Sequence, residues 1–346
     1  MTVKYFNKII PWFIGALSLA AIATTAYAQA PSSPVEWKKI TINLTTSPGG
    51  SFDLYARFLS RHMPKHLPGE PTIIVAHRVG SGGMTMTNWL YNVAPKDGSE
   101  LGMPQRTFPV EPILRKESQA RYEANKFNWI GSLNSDVGVL VFWQTPPTSL
   151  EDVLGGKPFP VGATGATSDS ATFYRVINRL LGANLQVIPA YPSATATVQA
   201  LESGELRGTA AVSLATLQYA KSDWITAGQV KLLMQMTVAR SKLIPDVPSI
   251  KELVKDDLDR EVIDLILSCQ DLGRPLIAPP GMSAERTKIL RGALTKTMND
   301  AEAIADAKKM SLLLDYIPGE VADEMLVKIF SSRKEVIARA QSVFGD

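Results

Sequence analysis

Apolar and polar positions alternate most clearly near residue 40. Trp37, Ile40, Ile42 and Leu44 recur at roughly period two, the pattern of a half-buried strand. The pattern then changes at "TTSPGGSFDLYAR" (45–57). Phe52, Tyr55 and Leu59 recur at helical spacing, and Ser51 stands where an N-cap belongs. The same sequence of events returns in "VGATGATSDSATFYRVINRLLG" (161–182). There a strand end and a Gly/Ser/Thr loop lead into a helix with the apolar stripe Val176, Ile177, Leu180 and Leu181. Asp169 or Ser170 is placed to cap that helix, and Gly182 suits its C′ position. A small-residue loop before a helix lets an anion reach the unpaired N–H groups of the first turn. It can equally be an ordinary tight turn. Two such loops, one in each half of a chain whose strands and helices alternate, predict an α/β protein.

The first residues change the picture of where the chain works. Lys4 and Lys8 precede an apolar run from Ile9 to about Ala23, and Ala26-Tyr27-Ala28 supplies a small-x-small cleavage pattern. The run falls short of the ~20 residues of a membrane span. The expectation is therefore a signal peptide over 1–28, removed after Ala28, and an exported protein in the periplasm. No cysteine stands at the cleavage point, so no lipid anchor is expected there. "QAPSSP" opens a flexible lead over 29–36. Residues 1–28 carry two lysines and no acid, so 34 basic residues face 33 acidic ones beyond them, a net charge of +1. That balance gives no electrostatic reason to bind nucleic acid or a membrane surface. Cys269 is the single cysteine, which excludes an intramolecular disulfide. A chain of this length builds its cores without one, as two domains.

Catalytic signatures fail one by one. His62 and His66 have metal-binding i, i+4 spacing, but Pro64 interrupts them and no Glu of an H-E-x-x-H motif is present. Solvated helix-end histidines are the expectation. "GSGGMTM" (80–86) has Thr85 where a dinucleotide-binding loop needs its third glycine, and no fitting ribose-binding acid follows. No G-x-S-x-G elbow or Walker loop occurs, and no pair of acids stands out for proton transfer. No catalytic residue, metal or cofactor is assigned, and the protein is not expected to be an enzyme.

"SPGGSFDLYAR", "HRVGSGGM" (77–84) and "APKDG" (94–98) together resemble the N-terminal signatures of the tripartite tricarboxylate transporter substrate-binding receptors, the Bug family. "GATGATS" (162–168), "PAYPSATATVQALESGEL" (189–206), "IPDVPSIKEL" (244–253) and "APPGMSAERTKILRGAL" (278–294) are similar to its later segments, in the same order. The resemblance implies an α/β periplasmic binding protein-like (type II) fold, a two-domain clamshell with a hinge. Domain 1 would comprise 37–136 plus 242–346, and domain 2 would comprise 137–241, with crossings near 135–143 and 232–240. It further implies that a small organic anion is held by backbone amides, hydroxyls and water, which needs no arginine. The ligand-binding residues expected on this basis are Ser47, Pro48, Gly49, Gly50, Ser51 and Asp53 in the first loop, and Gly80, Ser81 and Gly82 in the glycine-rich loop. From the other domain come Thr164, Gly165, Ala166, Thr167, Ser168, Tyr191, Ser193 and Ser213. Asp53 would repel a carboxylate if it pointed inward, and otherwise complements its helix dipole.

The chain departs from the family pattern where Pro192-Ser193 replaces Lys-Gly, where Arg207 replaces an acid, and where a histidine after the second loop is missing. These departures bear on which acid is bound. The expected function is capture of a small carboxylate by a monomeric receptor, for delivery to the membrane subunits of a tripartite tricarboxylate transporter. A periplasmic receptor that signals to a membrane sensor is the alternative among binding proteins, and an exported α/β enzyme is the alternative of another class.

Overall fold

The computed structural model describes residues 35–143 and 149–345; the expected signal peptide and most of the lead lie outside them. Among the described residues the strands are β1 (Lys39–Leu44), β2 (Thr72–His77), β3 (Glu100–Met103), β4 (Asn128–Ser132), β5 (Gly138–Trp143), β6 (Pro158–Gly162), β7 (Asn184–Ile188), β8 (Gly208–Ser213), β9 (Val230–Met236), β10 (Pro275–Ala278) and β11 (Ile317–Pro318). The helices are α1 (Ser51–His62), α2 (Met84–Asn92), α3 (Glu111–Leu114), α4 (Leu150–Leu154), α5 (Asp169–Leu181), α6 (Ala194–Glu202), α7 (Leu214–Thr226), α8 (Ile250–Leu253), α9 (Asp257–Leu267), α10 (Ala284–Met298), α11 (Ala301–Lys309), α12 (Gly319–Phe330) and α13 (Lys334–Phe344).

The strands form two separate sheets, ordered β11-β4-β10-β3-β1-β2 and β7-β6-β8-β5-β9. In the first, β1 runs parallel to β2 and β3, with Ile40 opposite Ile73 and Ile42 opposite Leu101. In the second, β6 runs parallel to β7 and β8, while β5 is antiparallel to β8 and β9. β1 is therefore a central strand, and this corrects the half-buried expectation. Both of its faces are covered: Thr41 and Asn43 are buried as well as Ile40, Ile42 and Leu44. Asn43 is satisfied there by Glu100 Oε2 (2.7 Å), the Leu101 carbonyl (3.0 Å) and Arg78 Nε (2.9 Å).

Two stretches, 133–137 and 237–274, connect the sheets. They run side by side, with Gly273 N donating to Asn134 O and Asp136 N to Gln270 O, both at 2.9 Å. This is the two-lobed fold of periplasmic binding proteins. α1 follows β1, α5 follows β6, α6 follows β7 and α7 follows β8. Parallel strands send their following helices off from one sheet edge, so helix N-termini gather at the carboxyl ends of the strands.

Candidate functional site: a cavity between the two sheets

A cavity opens between the sheets, leaving about 50 Å³ to the centres of water-sized spheres. That is room for several waters or a small molecule. Its wall is assembled from the starts of helices. Gly50, Ser51 and Phe52 come from α1, Asp169 and Ser170 from α5, and Ser193 and Ala194 from α6; Ser213 immediately precedes α7. α1 belongs to the first sheet's lobe, and α5 and α6 to the second. Each start carries about half a positive charge and first-turn N–H groups with no intrahelical partner. The backbone N–H groups of Phe52, Ser170 and Ala194 have no hydrogen-bond partner among the described residues.

Two arginines also line the cavity, and both are almost fully buried: Arg106 is 3% exposed and Arg274 1%. Arg106 Nε donates to Asp169 Oδ2 (2.9 Å) and its Nη1 to Asp136 Oδ2 (2.6 Å). Arg274 Nη1 donates to the same Asp136 oxygen (2.6 Å), and Nη2 to the hydroxyls of Ser51 (2.8 Å) and Ser213 (3.2 Å). The Arg274 guanidinium lies 4.4 Å from the centroid of the Phe52 ring. Asp169 is saturated, because Thr107 N and Oγ1 take its second oxygen at 3.0 and 2.6 Å. Burial pushes the Asp136 carboxyl up, but Arg106 and Arg274 outweigh that and hold it below the usual carboxylate range. The cluster is thus two cations and two anions, internally neutral, with its carboxylates committed to protein donors. What remains for a ligand is mostly N–H and O–H.

Of the residues expected from the sequence, Gly50, Ser51, Thr164, Ser193 and Ser213 line the cavity. Others shape its walls from behind. Asp53 turns away from the cavity lining, accepts from Gly49 N (3.0 Å) and Arg57 Nε (2.9 Å), and faces His77. Burial raises its carboxyl, yet those two bonds bring it below the ordinary range. Ser47 N donates to Pro192 O (3.4 Å), and Thr195 Oγ1 to Gly49 O (3.3 Å), tying the first loop to the opposite lobe. Pro48 is exposed at the tip.

The glycine-rich loop meets the Gly/Ser/Thr loop directly. Thr167 Oγ1 donates to the Ser81 carbonyl (2.8 Å). Gly82 has φ +61°, and a Cβ there would stand 2.8 Å from Ser168 N; a Cβ at Gly165 would stand 2.7 Å from Gly82 Cα. Only residues without side chains allow the two loops to approach this closely. Gly80 begins the turn, and Ala166 is exposed beyond the contact, its carbonyl 3.5 Å from Arg115 Nη2. Tyr191 packs over Gly162 and donates to Glu205 (2.5 Å); desolvation, then Glu205, push its phenol up to about 12.

Four expectations need correction. Gly50, not Ser51, is the N-cap of α1, because the Ser51 hydroxyl is engaged by Arg274. Ser168, not Asp169 or Ser170, caps α5: its Oγ accepts from Ala171 N (3.4 Å), while Asp169 is drawn to Arg106. His62 is not solvated; it is buried, with Nε2 2.8 Å from Asp306 on α11, and His66 Nε2 lies 3.3 Å from Asp300. The cavity is lined by Arg106 and Arg274 as well, where only backbone amides, hydroxyls and water were expected.

The model of the tripartite tricarboxylate transporter family receptor matches residues 55–311. A UPF0065 protein encoded in the gbd 5′ region of Cupriavidus necator is 26% identical over 333 residues, covering 94% of this chain and 93% of that one. Among solved structures, the malate-bound MatC of Rhodopseudomonas palustris superposes with a TM-score of 0.67 at 18% identity, over 88% of this chain and 98% of its own. An adipate-bound R. palustris protein, Rpa4515, gives 0.66 at 14% identity, over 89% and 99%. With its two-sheet fold and the family match over most of its length, this chain belongs to the tripartite tricarboxylate transporter receptor family of periplasmic solute-binding proteins.

Proposed function

We propose that the protein captures a small carboxylate in the cavity between the sheets and presents it to the membrane subunits of a tripartite tricarboxylate-type transporter. The observation that carries this reading is the convergence of three helix N-termini, from both lobes, on one cavity whose carboxylates are already paired. Three half-charges sum to roughly +1.5, set against an Arg/Asp cluster of no net charge. An anion fits that potential, and a cation or a neutral sugar does not. Malate and adipate, bound by two proteins of the same fold, are acids of the expected class.

In this reading the lobes are 37–136 with 242–346, and 137–241, closing about the paired connections. The protein acts as a monomeric receptor and not as an enzyme, in the periplasm, after cleavage behind Ala28. Among the described residues no helix is long and apolar enough to cross a membrane.

Thermal melting with a panel of mono-, di- and tricarboxylic acids, malate and adipate among them, tests the reading. An acid at 100 times its Kd should add about 2.7 kcal/mol of stability, and its amide should add none. A panel in which no acid shifts melting while a neutral sugar does would overturn the assignment.

A further inference from the structure

The carboxylate reading leaves open which side chain recognises the ligand's charge. Most of the polar groups around the cavity are spent on one another. Arg274 has both terminal nitrogens engaged, on Asp136, the Gly273 carbonyl, Ser51 and Ser213, which leaves its buried Nε as the one nitrogen of its guanidinium without a partner. Ser193 Oγ accepts from Ala196 N, Ser168 Oγ is held between Gly165 O and Ala171 N, and Gln105 Oε1 accepts from Asp169 N. Arg106 differs. Nε goes to Asp169 and Nη1 to Asp136, while Nη2 has no partner among the described residues, in a side chain 3% exposed that lines the cavity. Thr46, at the C-terminal end of β1 and also lining the cavity, is 8% exposed, and its hydroxyl is buried with no partner. A buried donor left unpaired costs stability unless something else accepts from it.

We infer that Arg106 Nη2 and the Thr46 hydroxyl are the charge-reading pair of this receptor, donating to a carboxylate oxygen of the bound acid. Asp169 and Asp136 then have a second task. They fix the guanidinium plane from two sides, so that Nη2 is held toward the cavity before a ligand arrives, and the acid meets a preorganised donor. An amide-only clamp would bind an acid and an isosteric neutral molecule with a smaller difference than a clamp containing this cation.

The inference rests on the carboxylate reading, and calorimetric titration of malate and adipate into wild-type, Thr46→Val and Arg106→Lys proteins separates the two. Thr46→Val removes a hydroxyl that has no partner in the protein, so the ligand-free variant should melt at or above the wild type. Its Kd for the tighter of the two acids should nevertheless rise about fivefold or more, the scale of one lost hydrogen bond. Arg106→Lys keeps a cation beside Asp136 and Asp169 but not the planar fork, and its Kd should rise about thirtyfold. The ratio of acid to amide affinity should fall with it. If the wild type binds an acid and both variants bind it equally well, this pair is not the contact, and the inference fails while the carboxylate reading stands. If the wild type binds neither acid, the reading fails and takes the inference with it. Should Arg106→Lys not fold, unchanged affinity in Thr46→Val alone overturns the assignment.

Discussion

At the scale of single residues, Asp136 is the most exacting position in the protein. One oxygen of a fully buried carboxylate accepts from two guanidiniums, one reaching it from the turn after β3 and the other from the strand approach to β10. Desolvating such a group is expensive, and the arrangement holds only because the charges are matched. Asp136→Ala would leave Arg274 without its carboxylate and Arg106 with Asp169 alone, and should cost about 3–5 kcal/mol, measured by denaturant unfolding. The group also sets a pH dependence. Its carboxyl is held below the usual range in the folded chain, so the unfolded state binds the proton more readily. Its contribution is therefore complete above the ordinary aspartate value of about 3.9 and is lost as pH falls through the lower folded value. Melting temperature followed downward from pH 6 should decline below about pH 4, and the decline should be shallower in Asp136→Ala. A steeper decline in the variant would show that Asp136 is not the group responsible.

At the scale of elements, the two strand–loop–helix units supply both the frame and helix starts that line the cavity, through capping chemistry. Ser168 caps α5 and ties its hydroxyl back to Gly165 O (2.7 Å), so the Gly/Ser/Thr loop and the helix start form one piece. Ser168→Ala should cost about 1 kcal/mol of stability, read as a lower denaturant midpoint, with a smaller change in acid affinity than Arg106→Lys gives. These units were legible in the sequence because their signals are local. Apolar period, small-residue loop and Gly182 at the left-handed cap (φ 75°) all fall within about twenty residues of one another. The arginines were not legible. Arg106 in "PQRTF" and Arg274 in "LGRPL" sit in no motif, and a lone arginine usually reads as surface. Their partners lie 30, 63 and 138 residues away, so only the folded sheets bring them together. The same distance explains Ser51, whose hydroxyl accepts from an arginine 223 residues further along while Gly50 takes the N-cap position.

At the scale of the whole molecule, the cavity is bridged by contacts between lobes that otherwise belong to different sheets. Thr167 reaches Ser81, Gly165 meets Gly82, Thr195 reaches Gly49, and Arg106 pairs with Asp169. In the proposed function the lobes part to admit the acid and close over it, a hinge motion about the paired connections. Solution small-angle scattering, with and without a saturating acid, measures that motion most directly. The ligand-free protein should give a larger radius of gyration than the closed structure, and the acid should bring the scattering curve onto the one calculated from that structure. Superimposable curves at full saturation would contradict the account, because they would mean that the acid binds without closing the cavity between the two sheets.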